Sequence, residues 1–495
     1  MNYYLGIDIG TSATKALLMD GQGRAVATAT REYPLSTPRN GWAEQHPRLW
    51  RDAALESIRE LTARVNPADI KAVGLTGQMH GLVMLDEHGE AIRPAILWCD
   101  QRTARECEEI NAAVGAARYI ELTANPPLTG FTAPKLLWVR NHEPENYAKC
   151  AQILLPKDYI RYVLTDVHAT DVSDASGMGL LNVAKRAWEP EVLANLHIDG
   201  ALLGKLYESC EITGGITPEI AAITGLLPGT PVAAGAGDNA AAAIGTGVAR
   251  EGQAFVTIGS SGVLFAHAQT MRLDPEGRVH SFCAAVPGEW HVMGVTLAAG
   301  LSLQWLRRTC MPELSYREMD ALAEASPIGA DRLLWLPYLN GERTPHKDPN
   351  CRGAFVGLSA SHGRGDLARA VMEGVCYSLK DCQAIMEGMG VPLDAVTCCG
   401  GGSASPFWRQ MLADVFGAAV RTMQSADGPA LGAAMLAAVG VGAFPSVPEA
   451  CDQLIVAGET VQPDAPRGAS YAKFYELYRS LYPSLKPGYD ALAVL

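Results

Sequence analysis

One short plan occurs twice in this chain: an apolar strand, a turn of glycine and hydroxyl residues, and a second apolar strand. The first copy is "YLGIDIGTSATKALL" near the N-terminus, and the second is "QAFVTIGSSGVLFAHA" at 253–268. The two stretches are only weakly alike in sequence, but a repeated plan indicates a duplicated domain. A chain of 495 residues also exceeds the usual size of one hydrophobic core. We therefore predict two large domains, 1–245 and 246–495.

The pattern within the first half predicts a mixture of strands and helices. Residues 3–31 predict a three-stranded meander, and an apolar face that runs from Trp50 to Val65 predicts a helix after it. The strand "IKAVGLTG", a hairpin turn at 86–89 and the strand "AILWCD" come next. The first domain is therefore expected to be α/β with a mixed sheet. Near the domain boundary, "PVAAGAGDNAAAAIGTGVA" predicts a strand and then a helix of small residues.

The composition excludes several classes of protein. Hydrophobic residues make up 48% of the chain and charged residues 19%, which is typical of a globular protein. The net charge is −13 without a cluster of Lys and Arg, so we expect no nucleic-acid partner. The longest apolar run, 429–444, is too short and too rich in alanine and glycine to span a bilayer, so we expect a buried helix and no membrane partner.

The cysteines predict a reducing environment. Twelve cysteines stand at irregular spacings, and the first ten residues lack the basic region of a signal peptide. We therefore expect reduced core thiols in a cytoplasmic protein. Neither an HExxH nor a CxxC pattern is present, which argues against a zinc site.

Three glycine-rich turns are candidates for nucleotide contacts. A strand that ends in Gly-x-Ser or Gly-x-Thr directs several backbone N–H groups at one point, where a phosphate can bind. One such turn is most often only a tight hairpin, but two facing turns could hold a polyphosphate. The third element is "CGGGSASPFW", where Ser405 and Pro406 suit the start of a helix. This element is either an ordinary strand-to-helix turn or a surface without side chains on which a flat base could lie.

Two aspartates are candidates for catalysis. Asp8 lies within a buried strand immediately before the first glycine turn, and an unpaired buried carboxylate needs a cation or hydrogen-bond donors. We expect Asp8 to meet Mg²⁺ beside the phosphate loop. Asp238 stands between a strand and a helix, where it is either an ordinary helix cap or a general base for a hydroxyl group. Asp174 is a weaker candidate.

A dinucleotide-binding motif is an alternative interpretation of the same region. The stretch "GAGDNA" at 235–240 follows a strand and matches GxGxxA. However, Asp238 would repel a pyrophosphate at the start of the helix, and the next strand does not end in an acidic residue. An NAD-dependent dehydrogenase therefore stays a distant alternative.

Together these motifs resemble the FGGY family of carbohydrate kinases. The motifs are "GIDIGTS", "GAGDNA", "TIGSSG" and "CGGGSA", with two longer matching stretches at 131–142 and 353–374. The resemblance implies an α/β, actin/hexokinase-like (ribonuclease H-like) fold that is duplicated, with central mixed sheets and a catalytic cleft between the domains. It implies that the first domain binds the sugar and one end of the polyphosphate. The second domain would then supply the other phosphate loop and the adenosine site.

Within the family, "GQMHG", "RPAILWCDQR" and "LPYLNGERTPH" are similar to the members that act on D-xylulose. The resemblance implies that ATP, with Mg²⁺, phosphorylates the 5-hydroxyl of D-xylulose to give D-xylulose 5-phosphate and ADP in xylose catabolism. Ribulose, deoxyxylulose and xylitol remain alternative acceptors. A catalytically silent actin-like nucleotide binder is disfavoured because Asp238 is present. Dimers are common in the family, so a homodimer is compatible with the resemblance.

The resemblance also assigns site residues by motif. Asp238 would accept the proton, Asp8 would act at the metal and the γ-phosphate, and both would be near Mg²⁺. Met79, His80, Asp238 and Asn239 would bind the sugar. The residues expected at the nucleotide are Thr11, Ser12, Lys15, Gly259, Ser260, Gly300, Gln304, Gly401 and Ser405. Many relatives have Gly-Thr-Ser-Gly where this chain has Gly-Ser-Ser-Gly at 259–262, and serine keeps the hydroxyl group.

Overall fold

The computed structural model describes residues 1–424 and 427–495, and its framework is two seven-stranded sheets. The strands of the first sheet are Tyr3–Ile9, Ala13–Asp20, Ala25–Glu32, Ile70–Gly77, Ile212–Gly215, Pro231–Ala233 and Ala236–Gly237. The first three form the predicted meander, with antiparallel neighbours. Tyr3–Ile9 also pairs in parallel with Ile70–Gly77, so the sheet is mixed as expected.

The second sheet repeats this arrangement. Its strands are Gly252–Ile258, Gly262–Ala268, His280–Cys283, Trp290–Thr296, Leu393–Cys399, Ala419–Met423 and Ala457–Val461. Gly252–Ile258 has an antiparallel partner after its glycine turn and a parallel partner, Leu393–Cys399, on its other side. The corresponding strand of the first sheet has the same two kinds of neighbour, which confirms the predicted duplication.

Helices cover both sheets and fill the space between them. Those in the first half are Pro47–Thr62, Ala104–Val114, Ala116–Thr123, Thr132–His142, Pro144–Ala148, Pro156–Thr165, Val172–Ala175, Pro190–Asn195, Pro218–Thr224 and Asp238–Gly245. Those in the second half are Gly300–Cys310, Tyr316–Ala325, Arg364–Gly388, Pro406–Phe416, Gly428–Gly440, Val447–Leu454 and Ala465–Ala493. Short 3-10 turns span Pro67–Asp69, Ser176–Met178, Gly200–Leu202 and Gly401–Ala404.

Short strand pairs lie outside the two sheets. Glu44–Gln45 pairs with Ala95–Ile96, Val83–Leu85 with Gln152–Leu154, Ala169–Asp171 with Lys205–Tyr207, Leu181–Asn182 with Ala187–Trp188, and Leu334–Leu336 with Ala354–Val356. The predicted strand "AILWCD" is thus only two residues long. The helix predicted up to Val65 ends at Thr62.

One helix of the second half packs on the first sheet. This helix, Gly428–Gly440, is called the shared helix below, and it contacts the strands Tyr3–Ile9 and Ile70–Gly77 as well as the helix Asp238–Gly245. The approach is so close that a Cβ atom on Gly6 would lie 1.9 Å from the carbonyl oxygen of Ala430. The predicted buried helix is therefore present, and it can pack this closely on the sheet only because residue 6 is a glycine.

The remaining predictions from composition can be compared with the structure. All twelve cysteines are unpaired, although Cys310 is exposed rather than part of the core. Among the described residues, no helix combines the length and the apolar character needed to cross a membrane.

Candidate active site

Asp8 and Asp238 meet where the first sheet opens toward the second. Asp8 lies at the end of Tyr3–Ile9, opposite Lys15 on the neighbouring strand. Burial raises the pKa of the Asp8 carboxyl to about 7, and the charge of Asp238 contributes to this rise while Lys15 opposes it. The strand register agrees, since Asp8 and Ala236, two residues before Asp238, both pair with Thr76 of the strand between them. The sequence placed both in the same site, and the structure brings them together.

Asp238 is the first residue of a helix and keeps one oxygen free. The strand Ala236–Gly237 pairs with Ile70–Gly77 and delivers the chain to this point. Oδ1 of Asp238 accepts hydrogen bonds from the backbone N–H (2.7 Å) and the side-chain Nδ2 (2.9 Å) of Asn239. Oδ2 accepts none from the described residues. Burial raises the pKa of Asp238 to about 6, so its carboxylate is a stronger base than an exposed one.

The first glycine turn holds its side chains in a local network. The Thr11 hydroxyl donates to Oε1 of Gln78 (3.2 Å) and accepts from the indole N–H of Trp98 (3.0 Å). Lys15 forms an ion pair with Asp427, which directly precedes the shared helix. Ser12 is exposed at the tip of the turn. All three predicted residues therefore border the turn beside Asp8, although the Thr11 hydroxyl already has protein partners.

A cavity of about 800 Å³ lies in the second half, beside the second glycine turn. All six residues that the sequence predicted for this half line it: Gly259, Ser260, Gly300, Gln304, Gly401 and Ser405. The turn is braced by the N–H of Gly300, which donates to the carbonyl of Gly259 (2.7 Å). Ser405 caps the helix Pro406–Phe416 as predicted, accepting from the N–H of Trp408 (3.0 Å). The turn and the cap thus form two walls of one concave site.

A second cavity of about 510 Å³ leads from this site to Asp238. Asp238 and Asn239 line it together with Thr257, Gly400 and Ser403. Gly428 at the start of the shared helix lines it too. Gly400 and Gly401 are adjacent in sequence, so the two cavities share a wall. A polyphosphate in the second cavity would join a base in the first to the hydroxyl acceptor at Asp238.

His80, one of the residues predicted to bind the sugar, is held in an unusual backbone conformation. Its φ is 67°, a left-handed value that costs energy for a residue with a side chain. The backbone is fixed there because the carbonyl of His80 accepts hydrogen bonds from Thr132 (3.1 Å) and from Nζ of Lys135 (2.9 Å). The imidazole ring stacks on Phe131, with 4.5 Å between ring centroids. Strain of this kind is typical of a functional position.

The hydrogen bonds of His80 define its tautomer. Nδ1 is 2.8 Å from the carbonyl oxygen of Gly177, and a carbonyl oxygen only accepts. Burial lowers the pKa of His80 to about 3, so the ring is neutral near pH 7. Nδ1 therefore carries the proton, and Nε2 has a lone pair that can accept a hydrogen bond from a hydroxyl group.

Met79 lies between His80 and Asp238. Its side chain is 4% exposed and packs in an apolar cluster with Phe131, Phe282, Met293 and Val295. A Cβ atom on Gly237 would lie 2.9 Å from Cγ of Met79, so this glycine lets the thioether pass directly beside Asp238. Met79, His80, Asp238 and Asn239, the four predicted sugar residues, thus border one continuous wall.

A buried ionic cluster lies behind Asp238. Lys157 pairs with Asp158 (2.6 Å), Asp171 (2.8 Å) and Asp174 (3.3 Å), and burial raises the pKa of Asp174 well above its ordinary value. The hydroxyl of Ser173 links the cluster to the site, since it accepts from the N–H of Gly237 (3.2 Å). Asp174 is therefore close to the site but engaged with Lys157, which fits a supporting position.

The donor set fits a magnesium ion that is held mainly by phosphates and water. No group of three or more His, Cys, Asp or Glu side chains within 1–424 and 427–495 is arranged to hold a metal by itself. Asp8 and Asp238 instead supply two carboxylates whose pKa values are both raised, and a cation between them and a phosphate would relieve this. Mg²⁺ commonly binds through one or two carboxylates plus substrate phosphates.

Several residues near the site were missed by sequence reasoning. Tyr316, Arg317 and Asp320 line the larger cavity from the helix Tyr316–Ala325, whose amphipathic pattern gives no hint of a ligand. Trp98 is 43% exposed and bonded to Thr11. An exposed tryptophan in an otherwise apolar strand motif was the available signal for it.

Two duplicated mixed sheets that face each other across a cleft, with glycine turns and paired carboxylates, define an actin/hexokinase-like phosphotransferase. Comparison with known proteins agrees. The model for the N-terminal domain of the FGGY family of carbohydrate kinases matches residues 3–245, and the model for the C-terminal domain matches residues 254–441. The chain belongs to the FGGY family of carbohydrate kinases. This membership confirms the predicted carbohydrate kinase and argues against the distant alternative, an NAD-dependent dehydrogenase.

Individual relatives cover almost the whole chain. A xylulose kinase from Escherichia coli (strain K12) is 43% identical over 486 residues, covering 98% of this chain and 99% of the relative. A xylulose kinase from Bacillus subtilis (strain 168) is 40% identical over 488 residues, with 98% of each covered. The crystal structure of a kinase from Brucella ovis, described as a "xyloylose kinase", superposes with a TM-score of 0.93 at 36% identity and covers 98% of this chain and 100% of its own.

Proposed function

We propose that this chain transfers the γ-phosphoryl group of ATP to the 5-hydroxyl of D-xylulose, giving D-xylulose 5-phosphate and ADP. Near-complete coverage by xylulose kinases at 40% and 43% identity supports the choice of acceptor. The observation that carries the chemistry is the free Oδ2 of Asp238 at the junction between a nucleotide-sized cavity and the Met79–His80 wall.

Asp238 is proposed to accept the proton of the 5-hydroxyl as the P–O bond forms. The two hydrogen bonds from Asn239 to Oδ1 fix the orientation of the carboxylate, and Oδ2 is left to contact the acceptor. The raised pKa of about 6 gives the carboxylate greater proton affinity while it remains ionised near pH 7. Phosphoryl transfer depends mainly on positioning and charge stabilisation, so one base and a set of donors suffice.

The residues proposed for the polyphosphate surround this base. Backbone N–H groups of the turns at 10–12 and 259–262, with Lys15, would contact the phosphates, and Gly401 and Ser405 would border the adenosine. Bound Mg²⁺ would neutralise charge between the β- and γ-phosphates. Asp8 would hold the metal, directly or through water, because its carboxyl group lies beside the glycine turn at 10–12.

The Asp238→Asn substitution tests the proposal. Asparagine keeps the two hydrogen bonds at Oδ1 but cannot accept the proton, so kcat for D-xylulose should fall by about 10²–10⁴-fold with KM for ATP nearly unchanged. The assay is ADP release over D-xylulose, D-ribulose, 1-deoxy-D-xylulose and xylitol, with and without Mg²⁺. A kcat close to that of the wild type would remove Asp238 from this role, and a better acceptor than D-xylulose would replace the substrate.

A further inference from the structure

Arg343 stands beside the sugar end of the cleft without a protein partner. Its guanidinium makes no hydrogen bond or ion pair within the part of the chain that the structure describes, and the residue is partly buried. A guanidinium has five N–H donors, and those that burial shields from water are costly to leave unpaired. The free-energy cost of leaving these donors unpaired favours a ligand that accepts hydrogen bonds from Arg343.

The backbone around Arg343 is clamped to the second sheet. Glu342 accepts hydrogen bonds from the N–H groups of Leu297 and Arg343 (both 2.8 Å). On the other side, the N–H of Thr344 donates to the carbonyl of Val295 (3.0 Å), and the Val295 N–H donates back to the Thr344 hydroxyl (3.1 Å). Val295 belongs to the apolar cluster of Met79. Arg343 is therefore held rigidly at the edge of the Met79–His80 wall.

The charge of Arg343 locates its guanidinium more closely. It contributes to lowering the pKa of His80 and of His280, and His280 stacks on Phe282 with 5.6 Å between ring centroids. Along the wall, Gly237 packs on Met79, and Met79 directly precedes His80. Arg343 therefore lies at the His80 end of this wall.

The pairing of His80 with Arg343 matches one chemical group. Nε2 of His80 only accepts, while the guanidinium only donates. An α-hydroxyketone presents a hydroxyl that can donate to the imidazole and a carbonyl oxygen that can accept from the guanidinium. We propose that Arg343 binds the ketone oxygen and the adjacent hydroxyl oxygen at the C1–C2 end of the acceptor, and so selects ketoses over polyols.

This inference rests on the proposed function, because C1 and C2 reach the His80 end of the Met79–His80 wall only if the 5-hydroxyl is bound at Asp238. Selection follows from the acceptor's chemistry. A ketone oxygen only accepts hydrogen bonds, whereas a polyol hydroxyl at C2 can accept from Arg343 only when its own proton is turned away from the cation. Arg343 contacts the acceptor and not the transferred phosphoryl group, so its removal should act on sugar affinity rather than on turnover.

The test compares Arg343→Met and Arg343→Lys with the control Arg352→Gln. Arg352 lies on the same segment but donates only to the backbone carbonyls of Pro349 (2.7 Å) and Cys351 (2.8 Å). Steady-state kinetics with D-xylulose and with xylitol give KM and kcat for each variant, and calorimetric titration of D-xylulose gives its Kd. Melting curves confirm that each variant is folded.

Arg343→Met should raise KM and Kd for D-xylulose by roughly 10- to 100-fold, the cost of one or two hydrogen bonds to a charged donor. KM for xylitol should rise clearly less than KM for D-xylulose, because xylitol offers Arg343 hydroxyl oxygens but no ketone, and kcat and KM for ATP should stay near wild type. Arg343→Lys should recover only part of the affinity, because a single ammonium cannot span two oxygens.

Two outcomes overturn the inference separately from the proposed function. If the wild type phosphorylates D-xylulose and Arg343→Met keeps its KM, Arg343 does not contact the acceptor. If Arg343→Met weakens the binding of D-xylulose and of xylitol equally, Arg343 does not distinguish a ketone from a hydroxyl group. A wild type that fails to phosphorylate D-xylulose instead overturns the proposed function, and this inference with it.

Discussion

Asp238→Asn should stabilise the protein although it impairs catalysis, and the gain in stability should depend on pH. The folded state raises the pKa of Asp238 from an ordinary 3.8 to about 6 because the carboxylate is buried. The folded protein therefore binds this proton more tightly than the unfolded chain does. Its stability falls as the pH rises from about 4 through 6, as the buried carboxyl loses its proton. Asparagine has no proton to lose, so the variant escapes this penalty.

The magnitude follows from the two pKa values. A rise from 3.8 to about 6 corresponds to about 3 kcal/mol at pH 8, where both states are fully ionised, and about 1.5 kcal/mol at pH 5. Water in the cleft screens part of this, which lowers both figures in the same proportion. Asp8 adds to the effect with the same sign, because the charge of Asp238 raises its pKa. The isosteric amide keeps both bonds from Asn239.

The assay is thermal unfolding of wild type and Asp238→Asn at pH 5, 6, 7 and 8, without nucleotide or sugar. For a chain of this size, about 1–2 °C per kcal/mol is expected, so the variant should melt about 2–6 °C higher at pH 8 and about half as much higher at pH 5. Other titrating groups are common to both proteins and cancel in the difference. A difference that stays constant across this range, or that grows toward acid, would refute the reasoning.

Three further predictions concern pH, packing and the sugar pocket. With saturating ATP, kcat/KM for D-xylulose should decline below about pH 6 as Asp238 takes up a proton, and the residual activity of Asp238→Asn should lack this decline. Gly6→Ala should lower the melting temperature by several degrees, since the new Cβ would lie 1.9 Å from a carbonyl oxygen of the shared helix and overpacking costs about 1–3 kcal/mol. Gly488→Ala, where nothing lies within 4 Å, is the matched control and should be neutral or slightly stabilising; equal melting of the two variants would contradict the packing argument. Gly177→Ala would place a Cβ 2.3 Å from Nδ1 of His80 and should raise KM for the sugar more than KM for ATP, and equal changes in both would exclude His80 from the sugar pocket.

Local features of the fold could be predicted from the sequence because they depend on interactions between residues close together in the chain. The meander at 3–32 follows from alternating apolar runs separated by glycine turns, and the helix start at Ser405 follows from a hydroxyl cap followed by proline. The residues predicted to contact the nucleotide in the second half line one cavity because each glycine turn ends a strand at the same edge of one sheet.

Contacts between residues far apart in the sequence could not be predicted in the same way. Arg343 lies more than 260 positions from His80, and only the clamp of Glu342 and Thr344 onto the strand Trp290–Thr296 brings them together. Lys157 looks like an ordinary helix residue in sequence, yet it neutralises three aspartates in the core. Such arrangements depend on contacts between residues far apart in sequence, which local periodicity does not encode.

The packing of the shared helix on the first sheet has a consequence for the folding of the whole chain. The polypeptide leaves the first half after the helix Asp238–Gly245, builds most of the second sheet, and then returns to cover the strands where it began. A fragment cut after residue 245 would match one complete family model and still leave the glycine-lined face of Tyr3–Ile9 and Ile70–Gly77 bare to water. Neither half can be completed until nearly all of the protein has been synthesised.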